Sequence, residues 1–392
     1  MPTFDEKRKP RVLVLSTSLW PSAGQLTLAL IRVGFEVATI GPAESPFHRI
    51  EKLAARFRCG YRGFDTAAMS AIRNWSPDLL VCTDDLAVYH LHQIYNSVCK
   101  ETPAPENQLI ISLIEQSLGN PKSFCLTRSN SKVVLLAQKL GIRCPPSHMI
   151  GTYQELREVP DHIKYPILVK SDGAWGGRGI RLAKSRASLA RAAFELFMPV
   201  TWPAPVKRAI AASVPKHLIL DKMIWPRAIC LQKFVSGRRC NRAVVCWKGK
   251  VLSSLNFEVC MASSEYGPSR VVKLIEHSEM ELFGDKIIET LGLSGFIGFD
   301  FILDDANRVW FLEMNPRATP TCHLSARADS LVGALFTQIT GKKPLADTAR
   351  MSKDLLILFP GELCDQNDCL RLLQRCASRR HQFYQSLPAC QH

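Results

Sequence analysis

Asp300, Glu313, Asn315 and Arg317 are the residues of this 392-residue chain whose types and spacing most directly suggest chemistry. Asp300 lies in Gly298-Phe299-Asp300-Phe301-Ile302-Leu303. The others lie in or just after Val309-Trp310-Phe311-Leu312-Glu313-Met314-Asn315, and the turn-forming quartet Asp304-Asp305-Ala306-Asn307 separates the two runs. Apolar runs joined by such a quartet predict an antiparallel hairpin. Side chains two apart share a strand face, so Glu313 and Asn315 point the same way. A tight turn at Ala306-Asn307 puts Asp300 directly across from Glu313; a turn one residue earlier at each end leaves them on one face but diagonal. Like charges on a mostly apolar hairpin are destabilising unless compensated. A divalent cation compensates them, and Asp, Glu and Asn oxygens suit magnesium rather than zinc. Arg317, on or near the same side, can neutralise a transferring phosphoryl group. A purely solvent-facing edge would not need the asparagine and arginine in phase.

A second candidate precedes it by about 130 residues. The apolar run Tyr165–Lys170 leads into Ser171-Asp172-Gly173-Ala174-Trp175-Gly176-Gly177-Arg178-Gly179, and Ile180 and Leu182 resume an alternating pattern. Four glycines in seven residues between strands describe a hairpin loop whose backbone N–H groups can approach phosphate oxygens unobstructed. It is not a Walker A motif, because the lysine precedes the glycines and no helix follows directly. An ordinary glycine-rich hairpin is the competing reading.

The elements that must hold these residues follow from patterning. Residues 11–16 form a short apolar run typical of a strand covered on both faces, 22–33 a helix, Phe35–Ile40 and Leu79–Cys82 further strands. Alternation of strand and helix over the first 120 residues predicts a small doubly wound sheet, and the absence of G-x-G-x-x-G after its first strand argues against a dinucleotide there. A helix over 131–140 ends at Gly141 and Pro145-Pro146. Acidic Asp5 and Glu6 among the first basic residues, and Ser16-Thr17-Ser18 after the apolar run, read as a buried strand rather than a leader.

Composition sets the outer limits. With 46% hydrophobic and 22% charged residues the chain is a folded one, not a disordered one, and no run approaches the roughly 18 apolar residues of a membrane span. The fourteen cysteines are dispersed without a C-x-x-C pair, which removes zinc ribbons and thioredoxin-like sites and points to reduced thiols in the cytoplasm. Of the net charge of +15, a surplus of ten falls between Lys184 and Arg242, where twelve lysines and arginines meet only Glu195 and Asp221. Clustered positive charge is the footprint of a polyanion. No nucleic-acid motif or interleaved aromatic run accompanies it, so a nucleotide triphosphate explains it equally well.

The stretches YPILVKSDGAWGGRGIRL (165–182) and GFIGFDFILDDANRVWFLEMNPR (295–317) resemble those of the ATP-grasp superfamily, in particular biotin carboxylases and carbamoyl phosphate synthetases. The resemblance spans roughly residues 120–340. It implies an α/β chain, α+β in its ATP-grasp part: a pre-ATP-grasp Rossmann-like domain over 1–120, an ATP-grasp domain over 121–343 with a mobile glycine-loop lid at about 149–231, and a C-terminal extension over 344–392. The resemblance also implies roles. Lys132 and Lys170 correspond to phosphate-contacting lysines, and the loop containing Gly173, Gly176, Gly177 and Gly179 to the flap over the triphosphate. Gln232, Lys233, Phe234 and Val235 correspond to the hinge that pairs with adenine, with glutamine where the family commonly has glutamate. Lys273 corresponds to a basic residue near the γ-phosphate or acyl phosphate. Asp300, Glu313 and Asn315 correspond to the magnesium ligands, with aspartate where glutamate is frequent, and Arg317 to the substrate-side arginine.

The implied activity is an ATP- and Mg²⁺-dependent ligase, with Mn²⁺ compatible, that phosphorylates a carboxylate to an acyl phosphate for attack by an amine or other nucleophile. Its partners are small molecules rather than nucleic acid or membrane, with an oligomer left open. Carboxylation or carbamoylation is the first alternative, although Ala318-Thr319-Pro320-Thr321-Cys322-His323 departs from the biotin-dependent pattern. A nucleotide-binding or nucleic-acid-associated protein without catalysis is the second. His323, just past Arg317, reads either as a substrate contact or base or as a histidine merely hydrogen-bonded near the site, whereas the basic segment around 197–222 and the tail cysteines Cys364, Cys369, Cys376 and Cys390 receive no role. The tail is expected to open with a strand over 355–361.

Overall fold

A computed structural model describes residues 8–60, 63–102, 104–151, 155–156, 159, 164–171, 179–197, 229–326, 329–345, 355–358 and 384–385. Gly173, Gly176, Gly177, the basic segment around 197–222 and the four tail cysteines lie outside them. So do residues 359–361, so that the expected 355–361 strand is described as Leu355–Ile357 only.

Four parallel strands open the chain: β1 (Arg11–Leu15), β2 (Glu36–Gly41), β3 (Ala55–Arg58) and β4 (Leu79–Cys82), in the order β3-β2-β1-β4. β1 pairs with both β2 and β4, and Val12 to Leu15 are fully buried, as expected for a central parallel strand covered on both faces. Helix α1 (Pro21–Val33) starts with a proline in its first turn and ends at Gly34, whose φ of 120° suits a residue without a side chain. Strand order reverses between β1 and β4, and in open α/β sheets the crevice at the carboxyl ends beside that reversal is where ligands bind. The residues that follow β1 and β4 therefore face the rest of the molecule at a site-forming edge.

The following strands are β5 (Ser147–Ile150), β6 (Ile167–Ser171), β7 (Ile180–Ala183) and β8 (Ile229–Lys233), a four-stranded sheet ordered β5-β8-β6-β7. Helix 131–140 of the sequence reading is Asn130–Lys139, and Ser129 accepts from the Lys132 N–H at 3.3 Å as its cap. A larger sheet then forms from β9 (Arg238–Trp247), β10 (Lys250–Ala262), β11 (Ser269–Ile275), β12 (Gly295–Leu303) and β13 (Val309–Asn315). Leu355–Ile357 and Tyr384–Gln385 extend its β11 edge. Its two faces are chemically distinct because side chains alternate. One face packs Cys240, Val244, Phe299, Phe301 and Phe311 under the helix Ser278–Leu291. The other contributes Ala243, Val245 and Phe257 to a core that also contains Val12, Val14 and Leu30 of the first sheet and Leu335 and Phe336 of the helix Leu331–Thr340. The chain is thus a mixed α/β molecule, with its two main sheets sharing one hydrophobic cluster.

Among the described residues no helix is long and apolar enough to cross a membrane, and their ten cysteines are all free.

Candidate active site

The hairpin register decides where the carboxylates go. Near the turn, Leu303 pairs with Val309, Ile302 with Trp310 and Phe301 with Phe311, one residue away from the register a turn at Ala306-Asn307 would set. A β-bulge at Leu312 then restores Asp300 opposite Glu313, Phe299 opposite Met314 and Gly298 opposite Asn315. A bulge places two residues of one strand against one of its partner, so Leu312 and Glu313 both line the cavity. Asp304 holds the turn: its carboxylate accepts from the Ala306 N–H (3.0 Å), the Arg308 N–H (2.9 Å) and Nε (2.8 Å) and the Trp310 indole N–H (2.9 Å). These donors hold its carboxyl down to about 2.

Directly opposite residues in adjacent strands lie on one face of a sheet, and the register gives two such rows. Leu274, Phe257, Asn241, Asp300 and Glu313 form the row on the cavity face. Lys273, Glu258, Cys240 and Phe301 form the neighbouring row on the opposite face. Lys273 therefore lies on the side of the sheet away from the carboxylates and is not among the cavity residues. Alternation along β11 separates it from the site it was expected to serve. Lys132 is also outside the cavity lining: it is exposed, and its Nζ lies 3.8 Å from the Cys125 Sγ.

The remaining predicted residues surround one cavity of about 410 Å³. Lys170 of β6 lines it, as do Gln232, Lys233, Phe234 and Val235 at the end of β8, and Asp300, Glu313, Asn315 and Arg317 on its floor. The Gly179 carbonyl accepts from the Ser171 N–H at 2.9 Å, closing the base of the glycine loop. Gln232 is buried, donates from Nε2 to the Ser147 hydroxyl at 3.3 Å, and keeps its Oε1 without a partner. The Lys233 and Phe234 N–H groups are already engaged by the carbonyls of Pro146 and Pro166, so Val235 carries the first hinge N–H that the strand pairing does not use.

A hydrogen-bonded chain runs across the floor. The Ser269 hydroxyl donates to the Asn241 Oδ1 at 2.9 Å, the Asn241 amide donates to Asp300, and the Asn315 Nδ2 donates to the second Asp300 oxygen at 3.2 Å. The Arg317 guanidinium donates to the Asn315 Oδ1 at 3.1 Å and, through Nε, to the Asp85 carboxylate at 2.9 Å. Asp85 opens the helix that follows β4, so the first sheet's part of the chain closes the site. Asn241, Ser269 and Asp85 were missed in the sequence. A lone asparagine in the otherwise apolar alternation Asn241, Ala243, Val245 was the available signal for the first of them.

Burial and like charge shape the electrostatics of the floor. Burial, and then Asp300, push the Glu313 carboxyl up to about 7, with Lys170 acting in the opposite direction. Burial works against the Arg317 charge, but Asp85, Asp84 and Asp300 outweigh it and raise its pKa. His323 lies outside the cavity lining. Burial lowers its imidazole to about 4, and its Nε2 has no hydrogen-bond partner.

Residues 130–330, just over half the chain, match the family model of the carbamoyl-phosphate synthase L chain, ATP-binding domain. The chain belongs to that family. This ATP-grasp chain is 22% identical over 218 residues to the carbamoyl phosphate synthase large chain of Myxococcus xanthus, a match covering 55% of the chain and 18% of that protein. It therefore spans less than a fifth of the length of such large chains. Among solved structures it is similar to the biotin carboxylase domain of Hydrogenobacter thermophilus 2-oxoglutarate carboxylase, in complex with MgADP, ADP and bicarbonate. The TM-score there is 0.61 at 15% identity, over 86% of this chain and 71% of that one. It is also similar to Staphylococcus aureus N5-carboxyaminoimidazole synthetase complexed with ADP, with a TM-score of 0.60 at 14% identity, over 95% and 87%. At these identities the structural likeness is one of fold.

Proposed function

We propose that this ATP-grasp chain is an ATP- and magnesium-dependent ligase that activates a carboxylic acid as its acyl phosphate and joins it to an amine. The observation carrying this reading is the cavity-face row in which Asp300 stands opposite Glu313, with Asn315 and Arg317 beside them. Two carboxylates and an amide form an incomplete oxygen set, and among the described residues no group of three His, Cys, Asp or Glu side chains is placed to hold a metal. That set suits magnesium, which takes one or two protein carboxylates and fills its remaining positions with water and substrate phosphates. Asp300, Glu313 and Asn315 would hold the cation, whose contribution would be Lewis-acid withdrawal of charge from the nucleotide phosphates.

The chain's own residues do the rest. The orphaned Gln232 Oε1 offers an acceptor to the exocyclic amine of adenine, and the Val235 N–H offers a donor to its ring. Lys170 reaches toward Glu313 and the phosphates. Arg317, immobilised by Asp85 and Asn315, orients the acid and stabilises charge on the transferring group. An oxygen of the acid attacks the γ-phosphorus, the bond to the bridging oxygen breaks, and ADP leaves with that electron pair. The amine nitrogen then attacks the acyl carbon, loses a proton and expels inorganic phosphate.

A screen of carboxylates with amines for ADP and phosphate release, run beside Glu313→Gln, tests this. Acid-dependent release that falls by about 10²-fold or more in the variant is the expected result. No acid stimulating turnover, together with unchanged ATP·Mg²⁺ binding by the variant, overturns it. The similar biotin carboxylase domain solved with bicarbonate supports a second reading in which bicarbonate is the acid. Phosphate release stimulated by bicarbonate, and not by larger acids, would select it.

A further inference from the structure

Arg128, in the segment leading into the helix that starts at Asn130, lines the cavity and is half-buried. Its guanidinium lies 4.6 Å from the ring centroid of Tyr89. Among the described residues it makes no ion pair and its side chain makes no hydrogen bond. A guanidinium stacked on an aromatic face keeps its edge N–H groups free for a planar anion.

The acids around the cavity are engaged elsewhere, Glu313 with Asp300 and Lys170. Asp84 accepts from the Ser16 hydroxyl at 3.0 Å, the Thr17 N–H and hydroxyl at 2.7 Å each, and the Ala87 N–H at 2.9 Å. Asp85 is paired with Arg317 at 2.9 Å, Asp300 is held by Asn241 and Asn315, and Glu265 takes the Tyr266 hydroxyl. His92, on the same helix as Tyr89, is buried, and that burial and then the Arg128 charge lower its imidazole to about 3, so it adds no second positive charge beside the guanidinium. A half-buried cation without an anion implies that a ligand brings one.

Geometry assigns that ligand to the acid side of the site. Tyr89 sits four residues after Asp85 on the helix Asp85–Val98, about 6 Å along its axis, and Asp85 holds Arg317. The stacked guanidinium thus belongs to the wall formed by the first sheet's helix. The hinge at Gln232–Val235 is contributed by a different sheet, at the end of β8. Resting on the ligase reading above, we infer that the acid substrate carries a second anionic group, a carboxylate or its phosphonate equivalent, that Arg128 binds while Arg317 orients the carboxyl to be activated. Recognition of a dianion by two fixed guanidinia excludes simple fatty or amino acids lacking the second charge.

Calorimetric titration of the full chain with adipate, 4-phosphonobutyrate and hexanoate, each with ATP·Mg²⁺ titrated separately, tests this without requiring turnover. At least one of the two dianions is expected to bind tenfold or more tightly than hexanoate. That advantage should shrink to within twofold in Arg128→Gln and be partly retained in Arg128→Lys, with the melting temperature and ATP·Mg²⁺ affinity of both variants close to the parent's. Equal binding of mono- and dianions by the parent overturns the inference. So does a tenfold loss of ATP·Mg²⁺ affinity in Arg128→Gln with acid binding intact, which would make Arg128 a nucleotide contact. Arg128-dependent dianion binding without acid-stimulated ADP release would sink the ligase reading and leave Arg128 as the residue that binds the second anion of a ligand that is not activated. Turnover with monoacids, indifferent to Arg128→Gln, would do the reverse.

Discussion

Glu313 is the residue where the chemistry is most exposed to test. Its carboxyl is raised from an ordinary 4.5 to about 7 by burial and by Asp300, so in the metal-free protein the folded state holds a proton that the unfolded chain gives up. Stability of the metal-free protein should therefore fall as pH rises from about 4.5 to about 7, by roughly 1–3 kcal/mol. Glu313→Gln should remove that slope. Urea unfolding at a series of pH values in chelator checks it, and a flat parent profile would contradict the raised value. A bound cation needs the ionised form, so Mn²⁺ affinity measured by electron paramagnetic resonance should weaken below about pH 7, with binding near pH 6 releasing protons. Sequence pattern showed that Asp300, Glu313 and Asn315 share a face. It did not show Asn241 reaching Asp300 from β9, because cross-strand neighbours 59 residues apart leave no local periodicity.

The β12–β13 hairpin carries the register, and Asp304 carries the hairpin. Asp304→Ala removes an acceptor used by four donors. A lowered melting temperature and weaker Mn²⁺ binding are expected together, since a one-residue slip would send Glu313 to the opposite face. An unchanged metal affinity would show that the bulge at Leu312 sets the register unaided. In the parent, the stabilisation due to the Asp304 carboxylate is complete above its ordinary value of 3.8 and disappears as pH falls through about 2. Both strands were legible from their apolar runs and turn quartet. The bulge was not, because an extra unpaired residue has no signature in an alternation that already contains adjacent apolar and acidic side chains. The same limit explains Lys273: its sequence neighbourhood resembles an active-site strand, yet the β10–β11 pairing turns it to the far face.

At the scale of the whole molecule, the site exists because two sheets share one core. Phe35 of the first part and Phe336 of the last meet edge to face at 5.1 Å within that cluster. Phe336→Ala should cost about 3–5 kcal/mol. It should also lower Arg317-dependent acid binding along with stability, because Asp85 and Arg317 are 232 residues apart and rely on this packing to meet. Denaturation followed alongside acid affinity checks it; full acid affinity in a destabilised variant would show that the Asp85–Arg317 pair assembles independently of the core. By itself the sequence determined the fold class, the order of the elements and the sharing of one hairpin face by Asp300, Glu313 and Asn315, since these depend on short-range periodicity and on residue chemistry. Tertiary structure alone decided the register of the carboxylates, the placement of Lys132 and Lys273 outside the cavity lining, and the recruitment of Asp85, Tyr89 and Arg128 to that lining. Those outcomes depend on strand pairing and on contacts between distant segments, which are set by the free energy of the assembled core and not by any local run of residues.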